Sequence, residues 1–264
     1  VIFAGVEDPF GTGFVTFAPP VVDEPRWMIT GDDCQVVTVM LEPTEVLKTE
    51  PGSMMFMSNG VETSVECNPC DGCVRQCAGE PFVKVELTNT AEGPNYVGLT
   101  PNYPAKVIPV ELGQRPGGNF VAKSGAIMSS LGDVNISTNA DFNPLTCCCT
   151  SLGFCRQGLS GSGTAFIAAG GTVLEKELKE GETLIVDSDS VVGYEDSVTF
   201  GVTPNQPCTC CFGGEGMCNA TITGPGKVIT QSMSFKKYIK NVAPPPNAYK
   251  QRMYRGGDVE LTWD

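Results

Sequence analysis

Short runs in which apolar, often β-branched residues alternate with polar ones recur along the chain. Cys34-Gln-Val-Val-Thr-Val-Met-Leu is the first, followed by Phe82-Val-Lys-Val-Glu-Leu, Lys106-Val-Ile-Pro-Val-Glu-Leu, Thr164-Ala-Phe-Ile-Ala-Ala, Thr183-Leu-Ile-Val-Asp and Lys227-Val-Ile-Thr. A period near two puts alternate side chains on opposite faces of a strand. Gly and Pro punctuate the gaps, as turns between strands require. The pattern predicts an all-β fold with little helix, and at 264 residues it forms one large domain or two ordinary ones.

The strand pattern also repeats. Pro51-Gly-Ser-Met-Met55 followed by Gly60-Val-Glu-Thr resembles Ser124-Gly-Ala-Ile-Met128 followed by Gly132-Asp-Val-Asn-Ile. A weaker third copy is Asp189-Ser-Val-Val-Gly193 followed by Ser197-Val-Thr-Phe. Behind each comes a cysteine cluster: Cys67, Cys70, Cys73 and Cys77, then Cys147, Cys148, Cys149 and Cys155, then Cys208, Cys210, Cys211 and Cys218. With Cys34 these account for all 13 cysteines. A repeat that cannot bury its apolar face alone packs on its siblings. The expectation is therefore three pseudo-threefold-related, β-sandwich-like repeats in one domain over 39–235, divided at about 39–112, 113–178 and 179–235.

Outside this body lie two arms. Residues 1–38, with Pro9, Pro19, Pro20 and Pro25, read as an extended N-terminal arm and first strand, suited to lie along a sheet edge. Residues 236–264 begin with a basic patch and continue through Pro244, Pro245 and Pro246, a stiff spacer that projects Tyr249, Tyr254 and Trp263, apolar anchors of the kind used at interfaces.

Charge and missing residue types narrow the function. Seventeen basic against 30 acidic residues give a net charge of −13, which repels nucleic-acid backbones and anionic lipid surfaces. Histidine is absent, which removes Ser-His-Asp and Cys-His catalysis and imidazole-containing zinc sites. No constellation of Tyr, Lys, Asp or Glu replaces them, so no catalytic residue and no cofactor is assigned. No apolar stretch approaches the ~20 residues of a membrane helix. The opening Val1-Ile-Phe-Ala-Gly lacks a basic leader region, and the expectation is that any targeting segment has been removed.

Several motifs together resemble a known family: Leu47-Lys-Thr-Glu-Pro-Gly-Ser-Met-Met-Phe-Met-Ser-Asn-Gly-Val, Phe120-Val-Ala-Lys-Ser-Gly-Ala-Ile-Met, Arg156-Gln-Gly-Leu-Ser-Gly-Ser-Gly-Thr-Ala-Phe-Ile-Ala-Ala-Gly-Gly, Leu178-Lys-Glu-Gly-Glu-Thr-Leu-Ile-Val-Asp-Ser-Asp-Ser-Val-Val-Gly-Tyr-Glu and Phe212-Gly-Gly-Glu-Gly. Over about 39–235 the chain is similar to the family named for altered inheritance of mitochondria, whose domain is related in fold to the tryptophan RNA-binding attenuation protein. The resemblance implies an all-β TRAP-like fold, oligomer formation and, for fungal members, a mitochondrial role in organising inner-membrane complexes. No catalytic residues come with it. This chain places cysteines where relatives tend to carry a Gly-rich or lysine-containing segment, and it adds the arms.

The cysteines admit three chemistries. Cys67-x2-Cys70-x2-Cys73-x3-Cys77 has the spacing of a bacterial iron–sulfur run, with Ala78 in place of the usual proline. The other clusters, Cys147-Cys148-Cys149 and Cys208-x-Cys210-Cys211, do not keep that spacing, so a function common to all three disfavours iron–sulfur. Zinc needs four thiolates and no histidine, but only the first cluster has its usual spacing. Disulfides tolerate varied spacing because the fold chooses the partners. Disulfides are therefore the preferred reading for all 12 clustered cysteines; zinc or iron–sulfur at Cys67, Cys70, Cys73 and Cys77 is the alternative, and plain buried thiols the remaining one. Disulfides imply an oxidising or extracellular compartment, whereas the resemblance implies a mitochondrial one. The sequons Asn135-Ile-Ser137 and Asn219-Ala-Thr221 fit the former.

Taken together, the expectation is a non-enzymatic structural protein that joins with itself through its arms into an oligomer, lattice or filament, with a cysteine-ligated metal or redox module as the alternative.

Overall fold

The computed structural model describes residues 11–19, 26–66, 83–113, 119–140, 155–204 and 218–242. Twenty strands dominate. Two short ones come from the N-terminal segment, β1 (Phe14–Thr16) and β2 (Trp27–Thr30). A first run of six follows: β3 (Val36–Leu41), β4 (Val46–Thr49), β5 (Met54–Met57), β6 (Val61–Glu66), β7 (Lys84–Asn89) and β8 (Asn95–Leu99). The second run is β9 (Lys106–Glu111), β10 (Phe120–Ala122), β11 (Ile127–Leu131), β12 (Val134–Ala140), β13 (Cys155–Gly161) and β14 (Thr164–Ala169). The third is β15 (Val173–Leu178), β16 (Thr183–Asp187), β17 (Val191–Glu195), β18 (Thr199–Pro204), β19 (Cys218–Thr223) and β20 (Gly226–Gln231). Among the described residues a short 3-10 turn at Ser188–Ser190 and a helix, α1 (Phe235–Val242), complete the set.

The same four antiparallel pairings occur in each run. The first strand pairs with the sixth, as β3 with β8, β9 with β14 and β15 with β20. The third also pairs with the sixth, as β5 with β8, β11 with β14 and β17 with β20. The fifth takes the second on one side and the fourth on the other. Each third strand carries an irregularity at its second residue, at Met55, Met128 and Val192. Runs are joined where the second strand of one pairs with the third of the next: β4 with β11, and β10 with β17.

Burial follows the alternation where one face is covered. In β3, Val37, Val39 and Leu41 are fully buried while the residues between them are not. Strands held on both faces, such as β11 and most of β14, are buried continuously. One apolar cluster lies where the first two runs meet, with Leu47, Leu87 and Val97 against Met128, Leu131 and Phe166; Trp27 of β2 closes it, edge-on to Phe166 with centroids 5.9 Å apart. A second lies between runs two and three, with Phe120, Ile127 and Leu159 against Val173, Val192 and Ile229. A smaller third cluster is built from buried residues of run three, with Val121 of β10 packed against it, and its Leu184 and Val186 are only partly buried.

The N-terminal segment lies along a sheet edge: β1 pairs with β15, Phe14 opposite Lys176. Residues 236–240, read as a basic patch in an extended tail, are helical. Ser234 explains the start, since its hydroxyl accepts from the Lys237 N–H (3.2 Å) and its carbonyl from the Tyr238 N–H (2.8 Å).

Candidate functional site

Three features could carry function: the hairpins leading to the cysteine clusters, the region beneath α1, and an apolar sheet edge.

β6 and β7 are paired up to Glu66 opposite Lys84, β12 and β13 up to Ala140 opposite Cys155, and β18 and β19 up to Pro204 opposite Cys218. The fourth-to-fifth strand connection of every run is thus where its cysteine cluster falls. Cys67, Cys70, Cys73, Cys77, Cys147, Cys148, Cys149, Cys208, Cys210 and Cys211 lie outside the described residues. Of Cys155 and Cys218 the backbone alone is described, each at the open end of its ladder. Cys34 is an exposed free thiol. Among the described residues no three Cys, Asp or Glu side chains converge as metal ligands would. The sequon Asn135 is exposed on β12, an outer strand of its sheet, whereas Asn219 lies on β19 between two partners.

Beneath α1, Lys237 Nζ bonds Asp187 Oδ2 at 2.7 Å and Ser190 Oγ at 3.3 Å. Burial alone would raise the Asp187 carboxyl, but bonds from Lys237 and from the Asp189 N–H outweigh it and hold it below its usual range. Lys236 and Lys123 both face Asp189, Lys123 at 3.5 Å from Oδ1 while donating to the Asp189 carbonyl at 3.2 Å. Burial lowers the Lys123 pKa despite the acidic neighbour. Phe235 and Tyr238 pack on Tyr103, with centroids 5.2 and 6.3 Å apart, and burial pushes the Tyr103 hydroxyl up to about 12. Between Tyr103, Phe235, Glu50, Ser53 and Ile127 lies a hollow of about 200 Å³. It offers a carboxylate and a buried hydroxyl, Ser53 Oγ, which has no hydrogen-bond partner among the described residues. The helix was missed in the sequence although its signals are present: a Ser cap, then apolar Phe235, Tyr238, Ile239 and Val242 at three- and four-residue spacing.

The third feature is β5. All four residues of Met54-Met-Phe-Met57 are exposed, Met55 by 59%. Its counterparts β11 and β17 are buried almost throughout. Phe56 lies over Gly98, where an added Cβ would fall 2.2 Å from the ring, and it meets Tyr96 edge-on at 6.2 Å. Met28 on β2 and Met40 on β3 are exposed too, and the register places them on the same face of the sheet β2-β3-β8-β5 as Tyr96 and Phe56, whereas Met54 and Met57 lie opposite the buried Leu99 and Val97.

Pro244, Pro245, Pro246, Tyr249, Tyr254 and Trp263, expected from the sequence to form an assembly arm, lie outside the described residues. Among the described residues no helix is long and apolar enough to cross a membrane.

These sheets and joins define an all-β protein in which the same strand pairings recur. The profile of the mitochondrial biogenesis AIM24 family matches residues 27–233, and the chain belongs to that family. No curated protein matches the sequence. A Streptococcus pyogenes protein of known crystal structure is similar in fold, with a TM-score of 0.65 over 82% of this chain and 97% of its own, at 19% identity. The suspected family and all-β class therefore hold.

Proposed function

We propose that this chain is a non-enzymatic structural protein that associates with itself into an oligomer, lattice or filament, its terminal arms contributing joints. The observation that carries this reading is the exposed apolar side chains of the sheet β2-β3-β8-β5, namely Met28, Met40, Tyr96 and all four residues of β5. Contiguous apolar surface on a strand edge costs solubility unless a partner covers it. The pairing of β1 on β15 supports the arms as joints, because it shows an N-terminal segment adding a strand to a sheet edge. In the same reading the cysteine clusters are disulfide staples at hairpin ends, each bridge worth about 2–4 kcal/mol.

The test is the mass of the full chain in solution by light scattering over a wide concentration range, beside a chain cut after Asn241. Self-association of the full chain, weakened by the cut, is expected. A single-chain mass of 28.0 kDa at every concentration would overturn the reading, and undiminished assembly of the cut chain would remove the C-terminal arm from it.

A further inference from the structure

The two joins inside the chain share one register. β4 meets β11 with Thr49 opposite Ser129, Lys48 opposite Ser130 and Leu47 opposite Leu131. β10 meets β17 with Ala122 opposite Gly193, Val121 opposite Tyr194 and Phe120 opposite Glu195. Immediately beyond, the Glu50 N–H donates to the Met128 carbonyl (2.9 Å) and the Lys123 N–H to the Val192 carbonyl (2.8 Å). Each join therefore ends with a bond to the bulged second residue of the third strand.

Two strands lack this partner. β5 is the third strand of the first run and stands at a sheet edge; β16 is the second strand of the third run and stands at another. Among the described residues neither pairs with anything on its outer side. Their exposure matches: Ile185 is 62% exposed, while its counterparts Lys48 and Val121 are half-buried. The counterparts are fixed by the sheet, since Leu47, Phe120 and Leu184 face the fully buried Leu87, Leu159 and Ile222. Each chain thus displays one unfilled half of a join at each end, and the halves are complementary.

We propose that β16 of one copy pairs antiparallel with β5 of a second copy, continuing the join that the chain makes twice within itself. The shared register puts Val186 opposite Phe56, Ile185 opposite Met57 and Leu184 opposite Ser58, with the Asp187 N–H directed at the Met55 carbonyl. Apolar side chains then meet apolar ones at two of the three positions, and Leu184 meets the hydroxyl-bearing Ser58. Residues 54–57 and 183–186 carry no charge, so two copies at −13 each meet without like charges opposed along the ladder. Residues 54–57 and 183–186 include no lysine or proline of the kind with which sheet edges are usually guarded, and the one charge on these two strands, Asp187 at the end of β16, is already held by Lys237. The contact is head-to-tail, so it propagates, closing into a ring or running on as a filament according to the rotation per copy. This inference rests on the self-association proposed above and locates it.

The experiment uses full-length Met57→Lys and Ile185→Lys, both at exposed positions, with circular dichroism and thermal melting to show that each is folded. An unpaired lysine desolvated in the join raises the dissociation constant by about 10- to 100-fold. Each variant alone is expected to sediment as one chain where the wild type associates. Mixed in equal amounts they are expected to form a species of two chains and no larger, because intact β16 of the first can seat on intact β5 of the second. Folded variants that assemble like the wild type, or a mixture that stays monomeric, would overturn the join while leaving self-association standing. A wild-type chain that never associates would overturn both.

Discussion

Asn89 shows how much one buried side chain can hold. It is fully buried, its amide nitrogen donates to the Leu41 and Gly93 carbonyls at 2.9 Å each, and its oxygen accepts from the Ala91 N–H and the Asn95 amide. One residue thereby ties β3 to the turn between β7 and β8. Asn89→Ala leaves the buried Leu41 carbonyl and its partly buried neighbours short of partners, and a loss of about 1–3 kcal/mol is expected in urea unfolding. A change below about 0.5 kcal/mol would mean that the turn relaxes or takes up water. Two glycines separate covered from uncovered packing. An added Cβ at Gly193 meets the ring of fully buried Phe120 at 2.4 Å and the Val121 carbonyl at 2.7 Å, whereas at Gly98 it meets exposed Phe56. Gly193→Ala is expected to cost about 1–3 kcal/mol by overpacking, and Gly98→Ala less, because Phe56 can swing toward solvent. Equal costs by thermal unfolding would argue that Phe56 is held as firmly as Phe120. The sequence marks both glycines only as breaks in a strand pattern, since the ring that fills each space comes from a different strand.

At the scale of elements, the strands were legible wherever one face is covered, because alternation such as that of Val36–Leu41 is the imprint of a half-buried sheet. The repeated Met54-Met55 and Ile127-Met128 motifs were legible as well, and both fall on third strands. What could not be read is that one is buried and the other exposed. Composition records that a strand is apolar, while the partner that covers it is set by long-range pairing. Helix α1 was obscured differently: Lys236, Lys237 and Lys240 read as a charge patch, although Ser234 caps a helix whose Lys236 and Lys237 meet Asp189 and Asp187. That contact has a pH signature. The Asp187 carboxyl is held below its usual 3.8, so the folded state binds fewer protons there than the unfolded one. Its contribution is present above the unfolded value and is lost as pH falls through the folded one. The α1 amide signals are therefore expected to shift in NMR spectra on acidification below about pH 4. In Asp187→Asn they should already resemble the acid form at neutral pH and titrate less. An unchanged titration in that variant would assign the effect to another carboxylate.

At the scale of the whole molecule, two properties oppose each other. Seventeen basic and 30 acidic residues make every copy strongly negative, which favours separation, whereas the open apolar edges favour contact. Salt acts on the first and hardly on the second. Raising ionic strength from about 0.01 M to 0.15 M shortens the screening length from about 30 Å to about 8 Å, which removes repulsion between copies. If strand edges and apolar side chains join the copies, association strengthens across that range. If the basic residues of α1 or the tail joined them to acidic surfaces, it would weaken instead. Sedimentation velocity at the two salt concentrations separates these cases by the direction of the change, whatever the size of the assembly. The first direction is expected, because β5 and residues 183–186 of β16 contribute apolar or hydroxyl side chains and no ion pair for salt to screen.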